Sequence, residues 1–425
     1  MEFVKFVSYI MKKIFLLIIV SLVIFSACNK DKKKITLHDE LSSFLKDTYP
    51  IPETSKIQLE GIYTLSEGND KFGSNVVIRW TRDKMSVFSG TGCYMILSGG
   101  FLDSVFFFEG YWRNPFNYET GYVELYISKD QGGVFLHGGS SASQSIKIKG
   151  GYASSGTVID KPFIIDYSRP FSDYAKNSNF EIIAHRSGGR TSDALPFSEN
   201  SIPMIKNSEY FGSTGIEIDI RMTKDGVPIL YHDPDINIRL TKKGPLSGPV
   251  ENFTYNQLYY FVQLINGEKI PKLEDALDAL IDSTTLRFIW FDIKVNSDQL
   301  ATIIAIQKAA LEKAAAKGRN LTILAGIPSV AVLNDFMQLP DYANIPSLCE
   351  LSLDDVRNVN ARAWGPRWTE GMQTESVLAV QNEGRKAYCW TIDDINFIQQ
   401  YINEGSFDGL LSNYPYLIAY YHYVR

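Results

Sequence analysis

From Phe180 onward the sequence alternates short apolar runs with longer segments of helical spacing, and few folds accommodate that alternation. The runs are Glu181–His185, Gly215–Ile220, Arg287–Ile293, Leu321–Ala325, Ser347–Leu351, Ala361–Trp364, Ala387–Thr391 and Asp408–Leu411. Between them lie the helix candidates Ser198–Tyr210, Leu273–Ile281, Asn296–Lys317, Ser329–Met337, Thr374–Glu383 and Asp394–Asn403. Asn296–Lys317 is the clearest, with Leu300, Ile303, Ile304 and Leu311 recurring at helical spacing. Eight strands with helical crossovers predict an α/β fold, a (β/α)8 TIM barrel spanning residues 173–425. One segment breaks the pattern. Ile229-Leu230-Tyr231-His232 follows Ile220 too soon for a parallel crossover, which needs a dozen residues or more. Thr223-Lys224-Asp225-Gly226 is a turn signal. A hairpin at the C-terminal mouth of the second strand is expected, folding His232 back over Glu217 and Asp219.

Upstream the pattern differs. Residues 56–172 contain short strands such as Asn75–Trp80, Lys84–Phe88, Ser104–Phe108 and Tyr122–Ile127, separated by Gly-rich turns. Such spacing predicts an antiparallel all-β sandwich or barrel domain. No nucleophile or metal-ligand pattern occurs there. Trp112, Phe116 and Tyr118 are candidates for a glycan or membrane contact surface, although core or rim packing is the commoner role of such residues. Pro162–Ser178 reads as the linker, so the downstream barrel is expected to fold and act alone from about Asp173.

The N-terminus reads as an export signal. Lys12-Lys13 precedes an apolar run, Ile14–Phe25, that is too short to span a bilayer and ends in Ser26-Ala27-Cys28. The ending resembles a bacterial lipoprotein box, with residues 1–27 as the signal, Cys28 lipidated and residues 28–55 as a tether. The expected product is an exported, membrane-anchored lipoprotein, periplasmic or at the cell surface. The formal net charge of −6 gives no basic footprint, which argues against a nucleic-acid partner. Beyond Cys28 only Cys93, Cys349 and Cys389 remain, and buried free thiols are expected.

The reactive side chains gather at strand ends, which in such barrels form the mouth. Only five His occur, and two of them, His185 and His232, flank Gly215-Ile216-Glu217-Ile218-Asp219-Ile220. Spacing i, i+2 puts Glu217 and Asp219 on one strand face. Asp292 and Lys294 repeat that spacing at the third strand. Glu217, Asp219 and Asp292 could hold a hard divalent cation, Ca2+ or Mg2+. Two imidazoles beside it suit general acid/base chemistry at a phosphoryl group, with Arg186 and Lys294 offsetting the phosphate charge. Taken singly, Asp292–Lys294 also reads as a structural pair and His232-Asp233 as an ordinary turn; the clustering at successive strand ends favours a site.

In this order, His185-Arg186, Ser198-Glu199-Asn200-Ser201, Gly215–Ile220, Thr223–Pro228, His232-Asp233, Arg239-Leu240-Thr241, Ile270–Leu277, Asp292-Ile293-Lys294 and Tyr388–Ile392 resemble the glycerophosphodiester phosphodiesterases. The resemblance implies a phosphodiesterase TIM barrel with a small insertion, placed at Pro245–Lys269. It implies His185 and His232 as the catalytic pair and Glu217, Asp219 and Asp292 as metal ligands. Glu199, Asn200, Asp233 and Trp390 fall within the matching motifs as supporting residues. The implied substrate is a glycerophosphodiester. The alternatives are another lipid-headgroup diester, from a lysophospholipid or phosphoinositol, and a catalytically degenerate binding lipoprotein. Three positions depart from the family pattern. Ser187 replaces a Gly, Asp292 replaces a Glu, and Ser412-Asn413 replaces Thr-Asp, which removes a charge near the last strand.

Overall fold

The structure, a computed structural model, describes residues 44–138, 145–295 and 297–425. The signal segment and Cys28 lie outside the described residues.

Eight antiparallel strands close the first barrel: β1 (Gly61–Glu67), β2 (Asn75–Thr81), β3 (Lys84–Ser89), β4 (Tyr94–Leu102), β5 (Val105–Arg113), β6 (Thr120–Ile127), β7 (Lys147–Tyr152) and β8 (Lys161–Arg169). Alternate residues point inward, and Phe72, Phe106, Phe108, Trp112, Leu125 and Phe163 fill the interior. Trp112 is fully buried, its Nε1 donating to the Ala153 carbonyl at 2.8 Å, so it forms no ligand surface. Phe116 is 45% exposed and packs edge-on against Tyr414, and Tyr118 lies under the Arg113 guanidinium.

Two boundaries move from their expected places. Pro162–Arg169 is not linker but most of β8, which closes the barrel against β1. Phe163 and Ile165 carry the period-2 burial of a half-buried strand, and Pro162 is tolerated because it stands at the strand's beginning. The end of the tether is folded too. Leu45 and Ile51 are buried, Tyr49 exchanges backbone hydrogen bonds with Phe101, and Glu53–Leu59 is a helix.

The second barrel has eight parallel strands: β9 (Glu181–Ala184), β10 (Gly215–Met222), β14 (Phe288–Ile293), β15 (Thr322–Ile327), β16 (Ser347–Cys349), β17 (Ala363–Trp364), β18 (Lys386–Cys389) and β19 (Gly409–Ser412), which returns to β9. Ile216, Ile218 and Ile220 face the helical layer, while Ile183, Phe288, Leu324, Leu348, Tyr388 and Leu411 plug the interior. The expected hairpin is present as β11 (Pro228–Leu230), antiparallel to β10. The insertion is larger than expected. Residues beyond β11, including β12 (Asp235–Ile236), β13 (Gly248–Pro249) and the helix Tyr255–Phe261, build a separate small core from Ile236, Leu240, Val250, Leu258 and Leu264 against Ile229 of β11. Cys93, Cys349 and Cys389 are buried free thiols.

The two barrels share a core. Ile62, Val77, Phe88, Tyr94 and Ile96 from the outer face of the first pack with Phe211, Tyr416, Leu417 and Ala419 of the second. Tyr94 stacks on Tyr416 with centroids 4.5 Å apart. Arg82 pairs with buried Glu209 and donates to the Ser283 carbonyl.

Candidate active site

The register between β10 and β14 sets Asp219 directly opposite Asp292, and Glu217 opposite Trp290. A parallel ladder sends paired residues to the same face, so three carboxylates meet at the mouth. One oxygen from each of Glu217, Asp219 and Asp292 lies within 4.8 Å of the others. Glu217 Oε1 is buried with no hydrogen-bond partner, although Oε2 accepts the Arg186 backbone N–H at 2.7 Å. Burial, reinforced by Asp219 and Asp292, pushes the Glu217 carboxyl well above the usual range. Burial acts on Asp219 in the same sense, but Lys294, His232 and Arg186 outweigh it and hold Asp219 low. An orphaned buried oxygen beside two further carboxylates fits an oxygen-seeking divalent cation.

Lys294 Nζ bridges Asp292 and Asp219, 3.1 Å from the latter. Asn200 anchors Asp219, its Nδ2 donating to Oδ2 at 2.6 Å and its Oδ1 accepting the Asp219 N–H at 3.2 Å.

His185 follows β9 in a tight turn in which Arg186 and Ser187 have φ of 50° and 70°. Its Nδ1 lies 2.8 Å from Asn413 Oδ1. The amide presents oxygen because its Nδ2 donates to Asp393 at 2.6 Å. That arrangement puts the ring proton on Nδ1 and a lone pair on Nε2, 3.8 Å from Glu217 Oε2. Burial and then Arg186 lower the imidazole to about 4, so it stays neutral at physiological pH.

His232 follows β11, and its backbone carbonyl accepts from Arg221 at 2.9 Å. Its Nδ1 meets Asp233 Oδ1 at 2.7 Å. Burial would raise the Asp233 carboxyl, but Arg239, Asn237 and His232 hold it far below the usual range. Here a firm anion backs the imidazole, whereas a neutral amide backs His185. Arg186 spans the site, donating from Nη2 to His232 Nε2 at 2.8 Å and from Nη1 to Glu199 at 3.0 Å. Trp390 donates from Nε1 to the Gly365 carbonyl at 2.8 Å and carries Arg367 over its ring.

The expected catalytic, phosphate-binding and metal residues therefore meet at one mouth, and all but buried Asp219 line a cavity of about 450 Å3 there. Glu199, Asn200 and Asp233 support them by direct bonds, and Trp390 lines the cavity wall. Sequence reasoning met Asn413 only as a departure from the family pattern, and did not find Asp393, which with Asn413 orients His185, nor Glu350 and Arg367, which also line the cavity. Glu350 directly follows β16, so the strand-end rule was the signal that could have found it. Burial, with Asp292 adding to it, pushes Glu350 up to about 8.

Comparison with known proteins places relatives over the same stretch of chain. The model of the glycerophosphoryl diester phosphodiesterase family matches residues 185–417. Glycerophosphodiester phosphodiesterase 1 of Rattus norvegicus is 31% identical over 131 residues, which is 29% of this chain and 36% of the rat protein. This chain thus spans only about a third of that relative's length. The glycerophosphodiester phosphodiesterase of Caldanaerobacter subterraneus is 23% identical over 247 residues, 55% of this chain and 94% of its own. A solved phosphodiesterase of Oleispira antarctica, in complex with the product sn-glycerol-3-phosphate, covers 56% of this chain and 94% of its own at 20% identity, with a TM-score of 0.44.

Proposed function

The chain belongs to the glycerophosphoryl diester phosphodiesterase family, and from that premise we propose that it hydrolyses glycerophosphodiesters to sn-glycerol 3-phosphate and an alcohol. The observation that carries the reading is the pair of imidazoles, each held through Nδ1, beside three converging carboxylates. Glu217, Asp219 and Asp292 would hold a divalent cation, Ca2+ or Mg2+, which supplies charge stabilisation to a phosphoryl oxygen.

The different backing groups separate the roles of the two His. His185, neutral and backed by an amide, is the base. Its Nε2 takes the proton of the attacking hydroxyl, either water or the substrate's own glycerol 2-OH. As that oxygen bonds to phosphorus, the bond from phosphorus to the leaving oxygen breaks; where the 2-OH attacks, water then opens the resulting cyclic phosphate to give sn-glycerol 3-phosphate. His232, whose Nδ1 is held by the Asp233 carboxylate, is the acid. When Arg186 turns from His232 Nε2 to a phosphoryl oxygen, that nitrogen is free to carry the proton it gives to the leaving alcohol. Lys294 balances the remaining phosphate charge.

Substituting either His by Ala should lower turnover by about 10²-fold or more on a glycerophosphodiester. A 4-nitrophenyl ester, whose leaving group needs no proton, should restore His232→Ala but not His185→Ala. The reverse rescue would exchange the roles, and full activity in both variants would remove the pair from the reaction. Chelation should abolish activity, and Ca2+ or Mg2+ should restore it.

We propose further that lipidated Cys28 holds an exported protein at a membrane. Cys28→Ser should then move the protein to the soluble fraction, because the acylated Cys supplies most of the hold. Unchanged membrane association in that variant would remove Cys28 as the anchor.

A further inference from the structure

The groups assigned to chemistry occupy one side of the mouth, on β9, β10, β11 and β14. The opposite wall carries polar groups that the reaction does not use. Glu350 lines the cavity from the end of β16, and its carboxylate makes no hydrogen bond or ion pair with any described residue. Arg367, beyond β17, lies over the Trp390 ring at 4.8 Å and also lines the cavity. Between the two sides stands Trp290, 2% exposed, whose Nε1 is buried without a partner. Gly326 and Gly365 leave room for its ring, since a Cβ at either would come within about 3.0 Å of the indole.

We propose that Glu350, Arg367 and Trp290 form a specificity subsite for the vicinal hydroxyls of a polyol. The donor and acceptor inventory decides the class. The wall offers the Glu350 carboxyl, which burial favours in its protonated form and which then both accepts and donates, and two further donors, the Arg367 guanidinium and the Trp290 N–H. A hydroxyl group both donates and accepts, so a pair of hydroxyls satisfies acceptor and donors together. An ammonium only donates, and would meet Arg367 as a like charge. A quaternary ammonium does neither. Trp290 lines the cavity, and its buried N–H is costly while nothing accepts from it. The hydroxyls come either from the glycerol end of the diester or from a polyol leaving alcohol. The subsite rests on the phosphodiester reading of the neighbouring groups.

The test compares the full-length protein with Glu350→Gln and Arg367→Gln on glycerophosphoglycerol, glycerophosphocholine, glycerophosphoethanolamine and bis(4-nitrophenyl) phosphate. In both variants the loss of kcat/KM on a diol-bearing substrate should exceed the loss on bis(4-nitrophenyl) phosphate at least tenfold. A loss shared by all three glycerol diesters puts the glycerol end in the subsite. A loss confined to glycerophosphoglycerol puts the leaving alcohol there. Equal losses on all four substrates would mean that Glu350 acts only through neighbouring Asp292, and would overturn the subsite, as would no loss at all. If the unaltered protein hydrolyses none of them, calorimetric binding of glycerophosphoglycerol decides. Tenfold weaker binding in Glu350→Gln keeps the subsite while the reaction reading fails; equal binding overturns the subsite.

Discussion

His185 Nδ1 and Asn413 Oδ1 lie 2.8 Å apart across 228 residues of sequence, and this contact sets the tautomer of the imidazole. The carboxylate that a Thr-Asp sequence would place here is not lost but displaced by one bond, since Asp393 grips the far side of the Asn413 amide. Burial and then Arg186 lower His185 to about 4, and the contact with the neutral amide raises it only in part. Asn413→Asp brings the charge into direct contact and stabilises the imidazolium, so the His185 pKa should rise. A base must be unprotonated, so the acid limb of the kcat/KM profile should move to higher pH. A limb that stays in place would show that His185 is not the group titrating there.

Ser187 stands at φ 70°, where a Cβ is strained, and its buried Oγ has no partner. Ser187→Gly removes both costs, against the greater entropy of Gly in the unfolded chain. The net gain in stability should be about 1 kcal/mol, read from urea unfolding. A destabilised variant would show that the hydroxyl finds a partner in solution.

The parts of the site that were legible before the fold was known are those written locally. Glu217 and Asp219 share a face because strand periodicity is 2, and the segment from Ile220 to Ile229 is too short for anything but a hairpin. Asp393 and Glu350 were not legible, and Asn413 showed only as a departure from the family pattern, because their partners come from barrel closure and not from neighbouring sequence. The misplaced linker has a local cause: Pro162 reads as a break, while the alternating burial of Phe163 and Ile165 behind it marks a strand.

The shared core also decides how far the second barrel stands alone. Sequence composition suggested a self-contained barrel from Asp173, but Phe211, Tyr416 and Ala419 are covered by Phe88 and Tyr94 of the first barrel. Arg113 of β5 further donates to the Asp193 carbonyl at 3.1 Å, in the loop after His185. A fragment beginning at Asp173 exposes these apolar groups to water, which for a side chain the size of Phe211 costs about 1.5–3 kcal/mol if fully uncovered. It should lack a cooperative thermal transition and near-UV dichroism. A fragment that melts cooperatively near the full-length midpoint would show that the interface is dispensable.

His422 gives the fold a pH dependence separate from the site. It lies in the C-terminal helix Pro415–Val424, 4% exposed and stacked on Phe180 with centroids 5.1 Å apart. Burial first, then the charges of Arg425, Arg79 and Arg287, lower it to about 4 from its ordinary 6.5. The folded state therefore binds the proton less readily than the unfolded chain. The stabilisation is fully present above pH 6.5 and is lost as pH falls toward 4, since unfolding then takes up a proton. A shift of this size corresponds to roughly 3 kcal/mol between the two limits. His185 titrates in the same window, so the comparison must be a difference between two proteins. His422→Phe keeps the ring stack and removes the titration. Its urea-derived stability should fall less steeply than that of the unaltered protein between pH 6.5 and 4, by roughly that amount. Parallel curves for the two proteins would show that His422 is already protonated in the folded state.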